Sequence, residues 1–284
     1  MFTLSIPTPS GPKAFALETG TTAYFVGANG GGKTRLAVHI EATMGERAHR
    51  ISGHRALSLN PNVPKLSEAD ALRGLRFGGH NKVVSFVHRD FHRWNHEAAV
   101  QLLNDYDYLV QALFAEQSNT ALKTHKNARA GKNDQIDATK LEKLVEIWAR
   151  VLPHRVLEIT GDDIQVKLNG SQYAAPQMSD GERAVFYLIG QTLAAAANSL
   201  IIFDEPELHI HRAIVARLWD ELEAVRPDCA MIMISHDLEF VATRNGQKYV
   251  LRDYAPDTGW QIEDVPEDRA GAANSDCSLS GFPA

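Results

Sequence analysis

The sequence has little cysteine and no excess of positive charge. Its 284 residues include two cysteines, Cys229 and Cys277. They form neither a metal-ligand spacing nor an obvious pair, so we expect a reducing, cytoplasmic environment. The formal net charge of -6 excludes a basic footprint over the whole chain, and any contact with DNA would need a local patch. Residues 1–7 lack the basic start and the long apolar run of a secretory signal.

Long uncharged runs are also scarce, and the clearest one spans residues 184–203. Its length is close to that needed to cross a bilayer. However, Asn198 and Ser199 separate an alanine-rich helical segment from a short apolar strand at residues 200–203. We therefore expect a buried helix followed by a central parallel strand, and no membrane association.

The pattern of apolar residues predicts an α/β protein with short strands at both ends and helices in the middle. The strands are predicted at residues 2–6, 14–18, 22–26, 49–52, 82–87, 155–160, 164–168 and 171–174, with turns at 161–162 and 169–170. The helices are predicted at residues 94–114 and 136–151, so that residues 90–152 form a helical insertion. Residues 266–284 have few large apolar groups, which predicts a flexible tail.

The most informative segment is the glycine-rich run that follows the apolar residues 23–26. It has the spacing G-x-x-x-x-G-K-T of a loop that binds phosphate. Backbone N–H groups of such a loop converge on phosphate oxygens at a helix start, while the lysine adds a positive charge and the threonine a hydroxyl ligand for Mg²⁺. A plain glycine-rich turn is the alternative, but the strand and helix patterns on either side disfavour it. ATP is therefore expected to contact Gly27, Asn29, Gly30, Gly31, Gly32, Lys33, Thr34 and Arg35.

A second motif is the apolar strand at residues 200–203, which ends in the adjacent carboxylates Asp204 and Glu205. In open α/β sheets ligands bind at the carboxyl ends of the strands, and neighbouring side chains on a strand point in different directions. We expect Asp204 to hold Mg²⁺ through water and Glu205 to act as the general base on the attacking water. The same carboxylates would also suit the start of a helix near Pro206.

Two further segments carry candidate site residues. Ser179 and Glu182 fit a capping box at the start of the uncharged helix, and together with Gly181 this helix start would also offer N–H groups to a phosphate. Ser235 and His236 follow a buried strand at residues 231–234, where a lone histidine is otherwise more often structural.

Two features lie outside these motifs. His209 and His211 have no clear third metal ligand, so we expect them to lie in a loop that faces a second subunit. Residues 123–132 form a local positive run; a solvated loop is the preferred interpretation, and a contact with nucleic acid or a partner is the alternative.

The order of the four motifs along the chain resembles that of the ATP-binding-cassette (ABC) ATPase superfamily. Residues 27–34 are similar to its Walker A motif, residues 178–183 to its signature sequence, residues 200–205 to its Walker B motif, and Ser235 and His236 to its switch histidine. Asp180 stands where a second glycine is usual, and His54 and Arg55 stand where a glutamine is expected after a strand.

This resemblance covers residues 2 to about 262. It implies an α/β P-loop NTPase fold with a mixed sheet, an N-terminal antiparallel β subdomain and a helical insertion, all within residues 1–265. Two such chains would pair head to tail, so that the signature residues of one close over ATP and Mg²⁺ bound by the other. The resemblance then implies roles for catalysis (Glu205, His236), for Mg²⁺ (Thr34, Asp204) and for the second nucleotide contact (Ser179, Gly181, Glu182).

Residues 204–211 are similar to the soluble branch of RecF-like and overcoming-lysogenization-defect-type ATPases. Residues 179–237 are similar to ATPases associated with DUF4435 TOPRIM-like domains, including those of PARIS antiphage systems. This implies an ATPase that forms a homodimer or higher oligomer and controls a separate effector, such as a TOPRIM-like nuclease, in antiphage defence. The alternatives are a DNA-repair ATPase of the RecF or Rad50 kind, the ATP-binding subunit of a transporter, and an ATP sensor without hydrolysis.

Overall fold

The computed structural model describes residues 1–132, 138–161 and 163–265, in which strands precede and follow a run of consecutive helices. The strands are β1 (Phe2–Ile6), β2 (Lys13–Leu17), β3 (Thr22–Gly27), β4 (Ala48–Ile51), β5 (Val156–Ile159), β6 (Ile164–Leu168), β7 (Ser171–Ala174), β8 (Leu200–Asp204), β9 (Ala230–Ser235), β10 (Gln247–Ala255) and β11 (Gly259–Asp264). The helices are α1 (Lys33–Met44), α2 (Glu68–Phe77), α3 (Arg89–His92), α4 (Tyr106–Arg129), α5 (Lys140–Val151), α6 (Asp180–Ala194), α7 (Arg212–Val225) and α8 (Leu238–Ala242).

A six-stranded sheet in the order β11-β10-β3-β9-β8-β4 forms the centre of the fold. The strands from β10 to β4 run parallel, and β11 pairs antiparallel with β10 at the edge. Strands β8 and β9 are buried over their whole length, as expected for parallel strands covered on both faces. Because β9 lies between β3 and β8, the carboxyl ends of all three strands lie side by side at one edge of the sheet.

The sheet separates two hydrophobic cores, since successive side chains of a strand point to opposite faces. On one face, Ala23 and Phe25 of β3 pack with α1 and with the antiparallel hairpin of β1 and β2. On the other face, Tyr24 and Val26 pack in a core to which α4, α5, α6 and α7 contribute. Strands β5, β6 and β7 form a separate antiparallel sheet.

Helix α6 is buried on all sides from Ala184 to Ala194, which confirms the predicted buried helix before a central strand. The carbonyls at a helix end need partners when water is excluded. Arg226 supplies them, because its guanidinium donates hydrogen bonds to the carbonyls of Thr192, Ala195 and Ala196. Within the described ranges, no helix is both long enough and apolar enough to span a membrane.

The prediction of a strand at residues 82–87 is wrong. This segment contains turns and a short 3-10 helix at Phe86–His88. Val83 and Val87 are 75% and 79% exposed. Their β-branched side chains favour a strand only where neighbours cover them; Val84 is buried, but no strand of the described residues pairs with this segment.

The helix predicted at residues 94–114 begins later and extends further. Asn95 and His96 have φ angles of 47° and 60°, which an α-helix does not accept, so α4 starts only at Tyr106. Helix α4 then continues to Arg129, and residues 123–129 of the positive run are helical rather than a loop. Ala, Gln, Leu, Lys and Arg in its second half are good helix formers, which explains the difference.

Two other predicted helices begin later than expected, and some predictions fall on residues outside the described ranges. The predicted helix at 136–151 begins at Lys140, after the capping residue Thr139, and residues 136 and 137 lie outside the described residues. The helix expected near Pro206 begins at Arg212, after a series of turns. Asp162, Cys277 and the tail at residues 266–284 also lie outside the described residues.

Candidate functional site

The glycine-rich loop connects β3 to α1, and its shape depends on glycine. Gly30 and Gly32 have φ angles of 88° and 78°, a region that glycine adopts readily and other residues avoid. A Cβ atom on Gly32 would also lie 2.6 Å from the Cβ of Tyr254. Gly32 immediately precedes α1, and the first N–H groups of a helix have no carbonyl partner within the helix. The loop therefore has the backbone form of an anion-binding site.

Lys33 is folded back onto this loop. Its ammonium donates hydrogen bonds to the carbonyls of Gly27 and Ala28, both at 3.0 Å, and to Oδ1 of Asn29 at 3.2 Å. The residue is 5% exposed. The remaining residues of the predicted set also lie here, since the N–H of Gly31 donates to the carbonyl of Ala28 and the guanidinium of Arg35 lies 5.4 Å from the centre of the Tyr254 ring.

Asp204 lies at the carboxyl end of β8, next to the start of α1. The hydroxyl of Thr34 donates to Oδ1 of Asp204 at 3.3 Å. Oδ2 of Asp204 lies 3.6 Å from Nη1 of Arg50 and has no hydrogen-bond partner in the described part of the chain. Burial raises the pKa of Asp204 to about 6, against the opposing effect of Arg50. A hydroxyl and a carboxylate with an unshared oxygen are the hard ligands that Mg²⁺ prefers, so the donors present fit this ion.

Glu205 follows directly but points elsewhere. Its Oε1 lies 3.2 Å from the ammonium of Lys33, while Asp204 is turned toward Thr34 and Arg50. The backbone of Glu205 has a positive φ of 50°, and its N–H donates to the carbonyl of Ile234 at 2.8 Å. The two carboxylates therefore have different neighbours, as predicted, but the reason differs: β8 ends at Asp204, and Glu205 turns away through its positive φ rather than through alternation along a strand.

Two charged residues of this edge were not found from the sequence. Arg50 is fully buried on β4, donates to Oε2 of Glu41 at 3.0 Å and lies 3.9 Å from the centre of the Trp94 ring. Glu207 accepts hydrogen bonds from Ser235 and His236. Arg50 could have been found from the sequence as a charged residue inside an otherwise buried strand. For Glu207 the only signal in the sequence was its position two residues after Glu205.

The segment after β4, which holds His54 and Arg55, lies beside the carboxylate loop. A Cβ atom on Gly53 would lie 2.7 Å from the carbonyl oxygen of Asp204, so the two backbones are in close contact. Arg55 is 4% exposed, and its guanidinium lies 5.0 Å from the centre of the Tyr187 ring. Burial lowers the pKa of Arg55, an effect that the neighbouring Tyr187, Tyr106, Asp105 and Glu207 oppose.

The start of α6 has the predicted capping box. Ser179 Oγ accepts from the N–H of Glu182 at 3.3 Å, and Oε2 of Glu182 accepts from the N–H of Ser179 at 2.8 Å. Burial raises the pKa of Glu182, but hydrogen bonds from Tyr173, Ser179 and Arg155 outweigh this effect and leave it below its usual value. Among the described residues, no hydrogen bond or ion pair joins Ser179, Gly181 or Glu182 to the phosphate loop.

The histidines at 209 and 211 belong to the turns before α7. His209 has a positive φ of 68°, and Nδ1 of His211 accepts from the N–H of Ala213 as the cap of that helix. A Cβ atom on Gly181 would lie 3.1 Å from the carbonyl oxygen of His209, so these turns lie beside the start of α6. No cluster of three or more potential metal ligands is found in the described part of the chain.

A mainly parallel sheet, a glycine-rich loop between β3 and α1, and a buried aspartate at the end of β8 together define an α/β P-loop NTPase with a mixed sheet. The chain belongs to the family described as AAA domain, putative AbiEii toxin, Type IV TA system, which matches residues 58–242. The matched region contains Ser179, Asp204, Glu205 and His236 and begins after the phosphate loop. No curated protein matches the chain significantly.

Solved structures that are similar to this chain include an SmcHead and ATP-binding proteins of ABC transporters. An SmcHead bound to the C-winged helix domain of ScpA is 15% identical, covers 95% of this chain and 100% of its own, and has a TM-score of 0.49. A nucleotide-free ATP-binding cassette from an ABC transporter is 13% identical, with 93% of each chain covered and a TM-score of 0.42. A putative ABC transporter ATP-binding protein from Pyrococcus furiosus is 10% identical, covers 82% of this chain and 84% of its own, and has a TM-score of 0.40.

Proposed function

We propose that this protein is an ATPase that binds ATP with Mg²⁺ at the phosphate loop and hydrolyses it between two copies of the chain. The observation that supports this most directly is the contact between two distant parts of the sequence. Thr34 and Asp204, 170 residues apart, share a hydrogen bond, while Lys33 and Glu205 form an ion pair beside them. A phosphate loop, a metal-ligand pair and a separate carboxylate are the parts that hydrolysis of a nucleoside triphosphate requires.

Each residue of this arrangement would have a distinct role. The loop amides and Lys33 would bind the β- and γ-phosphates, and Thr34 and Asp204 would hold Mg²⁺, which neutralises charge on the phosphate oxygens. Glu205 would accept a proton from the attacking water. His236 would contact the γ-phosphate. Phosphate oxygens would compete with Glu205 for the ammonium of Lys33, so nucleotide binding would free the Glu205 carboxylate for its role as a base.

A second copy of the chain would complete the site through the start of α6. Ser179 and Asp180 are exposed at this helix start, and no contact joins them to the phosphate loop of their own subunit within the described residues. N–H groups at a helix start favour an anion, which supports a contact with the triphosphate of the partner. In such a homodimer the turns that hold His209 and His211 would lie close to the interface, because they adjoin the start of α6.

The test uses the purified wild-type protein and one interface variant. Nucleotide affinity, phosphate release and molar mass by light scattering are measured with and without ATP and Mg²⁺. We expect binding, phosphate release and a dimer that forms with ATP. Asp180→Arg, at an exposed side chain, should keep nucleotide binding but lose the dimer. A protein that neither binds ATP nor releases phosphate would refute the proposal.

We further propose that ATP turnover controls a separate effector protein in antiphage defence. Support comes from the similarity of residues 179–237 to ATPases associated with TOPRIM-like domains and from the family description, which refers to a toxin and a TA system. Phage plating on bacteria that carry this gene with its neighbouring genes would test the idea. Protection that is equal for the wild type and for Lys33→Ala would contradict it.

One observation favours DNA as a second candidate partner. The last turns of α4 project into solvent, and four cationic residues there are exposed: Lys123, Lys126, Arg129 and Lys132. The sequence from residue 117 to residue 132 contains no acidic side chain. A local cationic patch on an otherwise acidic chain suits contact with a phosphate backbone.

A further inference from the structure

Glu207 connects the loop after β8 to the loop after β9. Its Oε1 accepts hydrogen bonds from Oγ of Ser235 at 2.5 Å and from the backbone N–H of His236 at 3.1 Å. The same oxygen lies 3.1 Å from Nδ1 of His236. The side chain of Glu207 is 9% exposed and that of His236 is 46% exposed. A nearly buried carboxylate therefore holds both the backbone and one ring nitrogen of a histidine that reaches solvent.

We infer that Glu207 is a positioning residue for His236 in the ATPase reaction, an inference that rests on the proposed function. An imidazole has two distinct nitrogens, and the partner of one determines how the other is presented. With Nδ1 donating to Glu207, Nε2 is the nitrogen left to face a substrate. The two contacts to Glu207 also restrict rotation of the ring and movement of the His236 backbone, so the orientation of Nε2 is set before the nucleotide binds.

The surroundings of Glu207 hold the same loop in place. Ser235 is fully buried, and its Oγ also accepts the N–H of Asp237 at 2.9 Å. Asp237 in turn caps α8 by accepting the N–H of Phe240 at 3.0 Å. Glu207 is thus the acceptor at one end of a continuous series of hydrogen bonds that runs through the turn between β9 and α8.

A buried cation lies near the carboxylate of Glu207. Arg55 is buried nearby, and its electrostatic interaction with Glu207 stabilises the guanidinium. Within the described residues, Oε2 of Glu207 and Nε and Nη2 of Arg55 are buried and have no hydrogen-bond partner. The other acidic groups of the two loops have their own cations, since Glu205 pairs with Lys33 and Asp237 lies 3.5 Å from the Nε of Arg212.

The contacts of Glu207 and Glu205 also indicate different roles for the two carboxylates. Oε1 of Glu207 already receives hydrogen bonds from a hydroxyl and a backbone amide and contacts a ring nitrogen, and Oε2 is buried away from solvent, so neither oxygen is placed to accept a proton from water. Glu205 has the ammonium of Lys33 as its ion-pair partner, and phosphate oxygens would displace it. Glu207 would therefore act through His236 rather than on the reacting atoms.

Steady-state kinetics of ATP hydrolysis test this role. Glu207→Ala should lower kcat by about tenfold to a hundredfold with little change in KM, because a misplaced group costs turnover rather than ground-state binding. Glu207→Gln should have a kcat between those of the wild type and Glu207→Ala, since its amide oxygen can still accept a hydrogen bond but carries no charge. In a His236→Ala background, Glu207→Ala should cause no further loss. Glu239→Ala removes a nearby carboxylate that is 85% exposed and should match the wild type.

Hydrogen exchange gives a second measurement that needs no turnover. In Glu207→Ala the amide of His236 loses its acceptor, so a peptide that covers residues 231–240 should exchange faster, and Glu207→Gln should retain most of the protection. Unchanged hydrogen exchange in Glu207→Ala would overturn the inference. Additive losses of kcat in the double variant Glu207→Ala/His236→Ala would also overturn it. An inactive wild type would refute the proposed ATPase alone, because the exchange experiment still decides whether Glu207 holds His236.

Discussion

Oε1 of Glu205 lies 3.2 Å from the ammonium of Lys33, the lysine that ends the glycine-rich loop. Lys33 is nearly buried and also donates to two loop carbonyls. Opposite charges at this distance attract strongly when water is largely excluded. Under the proposed function, the carboxylate and a triphosphate would compete for the same cation, so nucleotide binding would release the proposed general base.

The first prediction concerns the charge of Glu205. Glu205→Gln should keep ATP binding, or tighten it, because the carboxylate that competes for Lys33 and repels phosphate is gone. Turnover should fall about 10²- to 10⁴-fold, the usual contribution of a general base, and the ATP-bound dimer should persist longer. Isothermal titration and phosphate release measure the two effects. The exposed Glu239→Gln is the matched control, and an unchanged rate in Glu205→Gln would rule out Glu205 as the base.

The second prediction concerns the ammonium of Lys33. Lys33→Ala should weaken ATP binding itself, since a charge-assisted contact with the phosphates is lost. The loop should also be less ordered, because three hydrogen bonds to Gly27, Ala28 and Asn29 disappear with the side chain. Lys82→Ala removes an exposed lysine and should leave affinity unchanged. Equal ATP affinity in Lys33→Ala and the wild type would contradict a phosphate site in this loop.

The third prediction concerns the pH dependence of stability through His49. His49 is buried on β4, and its Nε2 lies 2.8 Å from Oε1 of Gln191. Burial, and after it the charge of Arg93, lower the pKa of His49 from 6.5 to about 3. Between pH 6.5 and about pH 3, His49 is therefore protonated in the unfolded chain but neutral in the folded chain. This stabilising contribution is complete above pH 6.5 and declines as the pH falls toward 3.

Between pH 7 and pH 5 the wild type should lose about 2 kcal/mol more of its free energy of unfolding than His49→Gln does. Urea denaturation at both pH values measures this difference, whatever the absolute stability of the variant. His125→Gln, on the exposed part of α4, should behave like the wild type. If His49→Gln and the wild type show the same dependence on pH, His49 is not held in its neutral form.

The fourth prediction concerns the cationic end of α4. The double variant Lys126→Glu/Arg129→Glu should bind a labelled DNA duplex more weakly and with a smaller dependence on salt, because fewer counterions are released. ATP affinity should not change, since this helix end contributes no contact to the phosphate loop among the described residues. Fluorescence anisotropy at several salt concentrations measures the effect. Binding that is absent in the wild type, or equal in both proteins, would exclude DNA as a ligand of this surface.

Local patterns in the sequence predicted the parts of the site that depend on neighbouring residues. The glycine spacing predicted the loop before α1, and the capping box of Ser179 and Glu182 formed as expected, because both depend on residues within one or two turns. The prediction of a strand at residues 82–87 was wrong for the opposite reason, since it depended on distant residues. Its apolar residues favour a strand, but only a tertiary neighbour could have buried Val83 and Val87, and none is there.

The sequence by itself thus determined which residues form the glycine-rich loop, carry charge and start a helix. Only the tertiary structure decided which of them meet. The order β3-β9-β8-β4 differs from the order along the chain, and it brings Thr34 to Asp204, Arg50 to Asp204 and Glu207 to His236. The physical reason is that strand pairing depends on burial of both faces of the whole sheet, a property that no single segment of the chain contains.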